Sequence, residues 1–190
     1  MPYVQLPDRP RGLLRRYAWW YSRRRFAAAV DPVRAASRHN GVLLAMGAVE
    51  MVAGRGWRRL DPRLRWLAIQ AASGMVGCSW CIDFGYFEGV QGGIGPEKVR
   101  AVPRWREASV YDEQERCVLE FAEAASLTPA EVSRELAGRL HEVFSEEQIV
   151  ELAGWVAYEN FRSRFNAGLG LTSQGFAARC ALDAPGAAAP

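Results

Sequence analysis

The chain has 190 residues, 49% of them apolar and 24% charged, with a formal net charge of +3. That length fits one domain whose core needs no disulfide or metal staple, and so small a net charge gives no bulk electrostatic case for nucleic acid as a partner. The best apolar run, Gly41 to Gly54, contains Glu50 and is too short to cross a bilayer. The opening MPYVQLPDRPRGLLRRY lacks an apolar signal core, so the cytoplasm is the expected location.

In chain order, the pattern predicts helices throughout. The first runs from about Leu13 to Val30, Asp31-Pro32 starts another, and the helical pattern resumes from Gly41 to Met51. Leu60-Asp61-Pro62 starts a helix striped by Leu64, Leu67, Ala68, Ala71 and Met75, ending near Gly77; the next begins at the cysteines that follow. A Gly-rich loop leads to a short helical turn from Pro96 toward Val102, closed by Pro103. Asp112-Glu113 caps a helix striped by Val118, Phe121, Ala122 and Ala125, and Thr128-Pro129-Ala130-Glu131 is read as a capping box for the next. Ser145-Glu146-Glu147-Gln148 repeats that signal before a long helix whose expected face is Ile149, Leu152, Ala153, Val156, Asn160 and Ala167. No alternating strand pattern or internal repeat competes. The chain is therefore expected to be all-α: residues 1–30 a basic-aromatic helical extension, 31–180 the main helical domain, and 181–190 an Ala/Pro-rich mobile tail.

In the extension, Tyr17, Trp19 and Trp20 interleave with Arg15, Arg16, Arg23, Arg24 and Arg25. Such a stretch can bind anionic lipid or stack on bases. The preferred reading is a helix that packs its aromatics on the core or on another subunit and leaves its arginines in water.

The chemistry-bearing stretch is MVGCSWCIDFG. Cys78 and Cys81, three residues apart on one helical turn, project to the same side and can close a disulfide. At a helix start the free N–H groups and the dipole lower a thiol's pKa. Zinc needs two further ligands, and His39, His141, Cys117 and Cys180 offer no pair at ligand-like spacing. Two buried, inert thiols remain the third reading, which is the first choice for Cys117 and Cys180. No cofactor or metal is called for.

LDPRLRWLAIQAASGMVGCSWCIDFG resembles the core of the carboxymuconolactone decarboxylase and alkylhydroperoxidase D (AhpD-like) family, where L-x-x-R-L-R-E-L leads into G-C-x-x-C-x-D-x-H. FSEEQIVELAGWVAYENFRSRFNAGLGL is similar to that family's last long helix. The resemblance implies an all-helical bundle that assembles as a dimer, trimer or hexamer. It also implies a mechanism in which Cys81 attacks peroxide to give a sulfenic acid, Cys78 condenses with it, and a small thiol or thiol protein resets the pair. In that branch a glutamate and a histidine relay the proton; this chain has Trp66 and Gly85 at those positions. Gly85 is expected to leave a gap through which Glu88 could approach Cys81 directly or through water, although a solvated surface glutamate is the preferred reading of Glu88, while Glu50, Tyr158 and Glu159 are other candidates to replace the relay. Asp83 is read as a cap or salt-bridge residue, His39 and His141 as surface or cap residues, and Asn160 as a tie to a neighbouring helix or a pocket-lining residue.

The expected function is thus a thiol-disulfide oxidoreductase or weak peroxidase acting on a peroxide or disulfide. The rivals are a lactone decarboxylase-like enzyme, against which the CxxC argues, and a non-catalytic oligomeric or partner-binding member, for which the lost relay argues.

Overall fold

The computed structural model describes residues 2–180, and no strand occurs among them. The helices are α1 (Leu13–Phe26), α2 (Asp31–Ala36), α3 (Asn40–Gly56), α4 (Pro62–Val76), α5 (Ser79–Gln91), α6 (Pro96–Ala101), α7 (Glu113–Ser126), α8 (Arg134–Val143) and α9 (Glu146–Gly168). Short 3-10 turns follow α6 at Val102–Arg104 and close the described chain at Ala177–Cys180. The proposed tail, 181–190, lies outside the described residues.

The stops and starts have local causes. Asp61 accepts the Arg63 N–H at 2.8 Å and Pro62 opens α4 without a donor to satisfy. Gly77 ends α4 in the left-handed region at φ 72°, where a side chain would be strained. Asp112 with Glu115, and Ser145 with Gln148, form reciprocal capping boxes at α7 and α9. His39 caps α3, its Nδ1 accepting from the Val42 N–H at 3.2 Å.

Three expectations are corrected. Helix α1 stops at Phe26, because Ala27 turns left-handed at φ 56°. Helix α8 starts at Arg134 rather than after Thr128: Ser133 is its cap, accepting from the Leu136 N–H at 3.0 Å. From there Leu136 and Leu140 can both enter the core, whereas the preceding run turns back to place the Glu131 N–H on the Ala124 carbonyl at 3.0 Å. Along α9 the expected Ala153 and Ala167 are exposed, and the buried side carries Leu152, Trp155, Val156, Tyr158, Glu159, Ser163 and Asn166.

Helix α4 is the axis of the bundle, packed against α5, α7 and α9. Its Leu64, Leu67, Ala68, Ala71 and Ala72 meet Val118, Leu119 and Ala122 of α7 and Leu152 and Val156 of α9 in one core. Small residues on α4 let the helices approach closely, and burying each large aliphatic side chain contributes about 2 kcal/mol. Asn160 ties α9 to the end of α7, donating to the Ser126 hydroxyl at 2.8 Å. Of the extension's aromatics, Trp19 is buried and donates to the Ser37 hydroxyl at 3.1 Å, but Tyr17, Trp20 and Tyr21 face outward. No described helix is long and apolar enough to cross a membrane.

Candidate functional site: a cysteine pair at a helix start

The α4–α5 corner is as short as two helices allow. Gly77 reverses the chain, the N–H groups of Gly77 and Cys78 return to the Ser73 carbonyl at 3.1 and 3.2 Å, and Cys78 is already the N-cap of α5. Its Sγ accepts the Cys81 N–H at 3.2 Å, the role serine or aspartate commonly fills. The Cα atoms of Cys78 and Cys81 are 5.3 Å apart and the two are joined as a disulfide. Their exposures are 1% and 7%, so the pair lies beneath the surface rather than on it.

Three segments cover it: the chain after α9, the turn at residues 26–30 between α1 and α2, and α9 itself. The chain after α9 folds back over α5, where the buried Asp83 takes the backbone N–H groups of Gln174, Phe176 and Ala177 at 3.0, 3.0 and 2.8 Å. Asp83 is thus a capping residue, as its position suggested. Gln174 Oε1 in turn accepts from Trp80 Nε1 and the Asp31 N–H, both at 2.8 Å. This seats Phe176, which is fully buried, with Val30, Trp80 and the two cysteines, against Phe26, Phe84 and Phe87. The third cover is α9, whose Asn166 donates from Nδ2 to Cys81 Sγ at 3.2 Å.

The gap expected beside Gly85 is filled. A Cβ there would collide with Gln70 Oε1, and Gln70 donates to the Ile82 carbonyl at 3.3 Å. Trp66 lies over Gly89, where a Cβ would come within 2.6 Å of its ring, and donates to the Gly85 carbonyl at 2.8 Å. The two positions that depart from the family pattern are therefore in direct contact, and a histidine at 85 would require Gln70 to move.

The other acids form a separate cluster. Glu159 is buried and all its acceptor positions are taken: Oε1 by the hydroxyls of Ser73 at 2.8 Å and Ser163 at 2.6 Å, Oε2 by the guanidinium of Arg162. Arg162 also reaches Glu50 at 2.8 Å, and it stacks on Tyr158 with 4.8 Å to the ring centroid. Burial disfavours the Arg162 charge, but Glu159 and Glu50 more than offset this and hold it protonated. Burial, then Glu50, pushes the Tyr158 hydroxyl up, and that hydroxyl donates to the Met46 carbonyl at 3.4 Å. Solvent reaches Glu88, yet desolvation by the protein around it raises its carboxyl, against the pull of Arg162, Arg25 and Arg65. None of Glu50, Glu88, Tyr158 and Glu159 makes a hydrogen bond to either sulfur.

His141 is exposed on α8. Cys117 is buried and burial raises its thiol, which disfavours the reactive thiolate. Among the described residues no three His, Cys, Asp or Glu side chains gather as a metal site. A groove of about 440 Å³ between α7 and α8, lined by Met75, Arg106, Glu120 and Leu136, includes neither cysteine.

Asn166, Gln70, Gln174 and Phe176 are the site residues sequence reasoning missed. The signal for Asn166 was present: Glu159, Ser163 and Asn166 recur at spacings of four and three, a polar line on the face that carries Leu152 and Val156.

Comparison with known proteins agrees with this architecture. Residues 41–124 match the carboxymuconolactone decarboxylase family. The uncharacterized protein YnjA of Escherichia coli (strain K12) is 31% identical over 166 residues, covering 86% of this chain and 89% of that one. The debrominase Bmp8 superposes with a TM-score of 0.82 at 20% identity over 93% of this chain and 94% of its own. A peroxidase-related protein of Ralstonia eutropha JMP134, with an alkylhydroperoxidase AhpD core, gives 0.76 at 16% identity over 92% and 96%. With its CxxC at the start of α5 and its all-helical AhpD-like bundle, the chain belongs to the carboxymuconolactone decarboxylase family.

Proposed function

We propose that the protein is a thiol-disulfide oxidoreductase with weak peroxidase activity, cycling Cys78 and Cys81 between dithiol and disulfide. One observation carries the reading: the two sulfurs are paired across the first turn of α5, with a hydrogen-bond donor on Cys81 and none of the family's proton relay. The Cys81 thiolate attacks the terminal oxygen of a hydroperoxide; the O–O bond breaks, leaving Cys81 as a sulfenic acid, and the alkoxide takes a proton to depart as the alcohol. The Cys78 thiol then attacks that sulfur, the S–O bond breaks, water leaves and the disulfide forms. A small thiol or a thiol protein returns both hydrogens. The cytoplasm, where such reductants abound, and a homo-oligomeric state complete the proposal.

The aromatic shell of Trp80, Phe84 and Phe176 favours a second reading of the same dithiol. A variant of the debrominase Bmp8 has been captured with 2,3,4-tribromopyrrole. Here the pair would reduce a bromoarene to the arene and bromide while closing its disulfide, two electrons and one proton passing to the product carbon. Bromide release from a bromopyrrole separates this from peroxide consumption.

The test of the main reading starts with protein purified without reductant, whose intact mass should lie two hydrogens below the reduced form, with the bond mapped to Cys78 and Cys81. Under peroxide, Cys78→Ser should accumulate a sulfenic acid at Cys81, while Cys81→Ser should leave Cys78 mostly unmodified. Free thiols at both positions after mild oxidation would favour a non-catalytic or decarboxylase-like protein, and labelling at Cys78 instead would reverse the two roles.

A further inference from the structure

The proposed chemistry needs something to hold the Cys81 thiolate, and the usual candidates are absent from its side. Charged groups on the surrounding elements include Arg25 on α1, Asp31 and Arg34 on α2, Asp83 and Glu88 on α5, Glu159 and Arg162 on α9, and Arg179 in the last 3-10 turn. Asp83 is committed to the backbone of 174–177, Asp31 pairs with Arg34, Glu159 with Arg162, and Arg179 stacks on Phe176. The side chain within hydrogen-bond distance of Cys81 Sγ is Asn166, Nδ2 to sulfur 3.2 Å. Asn166 is 2% exposed, and its other polar atom, Oδ1, is buried with no partner among the described residues. An orphaned buried carbonyl is costly, so in a native protein it points to an absent donor. Gln70 Oε1, one turn along α5 beside Gly85, is a second such acceptor. The surroundings of the pair thus offer lone pairs in excess of donors, a deficit that a ligand with an O–H would fill.

We propose that Asn166 works at this site through both ends of its amide: Nδ2 donates to the Cys81 thiolate and positions it, and Oδ1 accepts the O–H of the bound hydroperoxide and then of the sulfenic acid. This rests on the peroxidase reading for the substrate but not for the thiolate. A neutral amide suits the task because it stabilises the anion without competing for its proton, and a donor to a charged sulfur is stronger than one to a neutral sulfur. The backbone fixes the residue: the Asn166 carbonyl receives the N–H groups of Leu169 and Leu171 at 3.2 and 3.0 Å, closing α9 at that point.

The experiment uses the Cys78→Ser protein, in which serine can still cap α5, and measures iodoacetamide alkylation at Cys81 by peptide mapping against pH. Asn166→Leu should lower the neutral-pH rate about ten-fold and move the pH midpoint up by about one unit. Asn166→Asp, which replaces the donor with a carboxylate, should do more. A merely structural role would lower the melting temperature and leave the midpoint in place, and that result overturns the proposal. Should both variants fail to fold, the Asn166 side-chain amide resonances of the Cys78→Ser protein serve instead; they should shift with the midpoint of Cys81 titration, and indifference to it overturns the assignment. A parent that consumes no peroxide, with the midpoint still moved by Asn166→Leu, would sink the peroxidase reading and the substrate role of Oδ1 while upholding the hold on the thiolate. Peroxide consumption with an unmoved midpoint would uphold the peroxidase reading and overturn the role assigned to Asn166.

Discussion

Tyr86 is fully buried against the main core, and its hydroxyl finds no partner among the described residues. Removing an unsatisfied buried hydroxyl is favourable where the space stays filled, so Tyr86→Phe should raise stability by about 1 kcal/mol, or roughly 2–4 °C in melting temperature. The effect depends on pH with a fixed sign. Burial pushes the Tyr86 hydroxyl up to about 12, while an unfolded tyrosine titrates near about 10. Stability from that raised value is intact below the lower figure and is lost as pH rises through the upper one. The advantage of phenylalanine should therefore widen over that interval; urea titrations of both proteins at mildly and strongly alkaline pH measure it, and equal midpoints near pH 8 would mean the hydroxyl is satisfied. At this scale the cysteine pair was legible in the sequence because its partners are three residues apart. The burial of Asn166 was foreshadowed by the polar line along α9, but its contact with Cys81 was not, because it spans 85 residues, and Gln70 was not, because only the packing of α4 on α5 brings it to the absent side chain of Gly85.

Among elements, the segment after α9 depends on one carboxylate. Asp83 receives three backbone N–H groups from residues 174–177, and charge-assisted bonds of this kind contribute about 1.5–3 kcal/mol each to local order. In Asp83→Asn the amide would turn an N–H toward donors. The expected result is at least ten-fold faster amide exchange at Phe176 and Ala177, with faster alkylation of reduced Cys81 beneath them. Unchanged exchange would mean that Phe176 packing alone holds the segment. Helix starts were readable wherever a cap and the apolar stripe agreed, as at Asp61, Asp112 and Ser145. They misled at Thr128, where a cap pattern stood before residues with nothing to bury and Ser133 stood before Leu136 and Leu140. The face of α9 was drawn through alanines that pack equally well in or out, while the polar Glu159 and Ser163 that do turn inward owe their burial to Arg162 and Ser73, partners no local pattern displays.

At the scale of the whole molecule, several large apolar side chains of the described residues face outward. Leu44, Met51 and Val52 are exposed along α3, above a groove of about 280 Å³ lined by Ala48, Val49, Val52, Ala53 and Trp57. Tyr17, Trp20 and Tyr21 are exposed along α1. Contiguous patches of this type mark association surfaces, consistent with the expectation of a homo-oligomer. The protein should sediment as a dimer or larger at micromolar concentration, and Val52→Glu should shift it to a smaller species while leaving the Cys78–Cys81 bond intact. A monomeric parent would overturn the expectation. The all-helical class was open to inspection from spacing alone, since helical periodicity is a local property; the outward turn of Tyr17 and Trp20 was not, because an aromatic stripe reads alike whether it meets the core or a second chain.

The Cys78 sulfur both caps α5 and forms half of the disulfide. An amide proton moves downfield as its acceptor gains negative charge, so the Cys81 N–H signal should differ between the reduced and oxidised protein. One backbone resonance then serves as an internal electrode, reading the oxidation state of the pair in situ without a dye or a substrate.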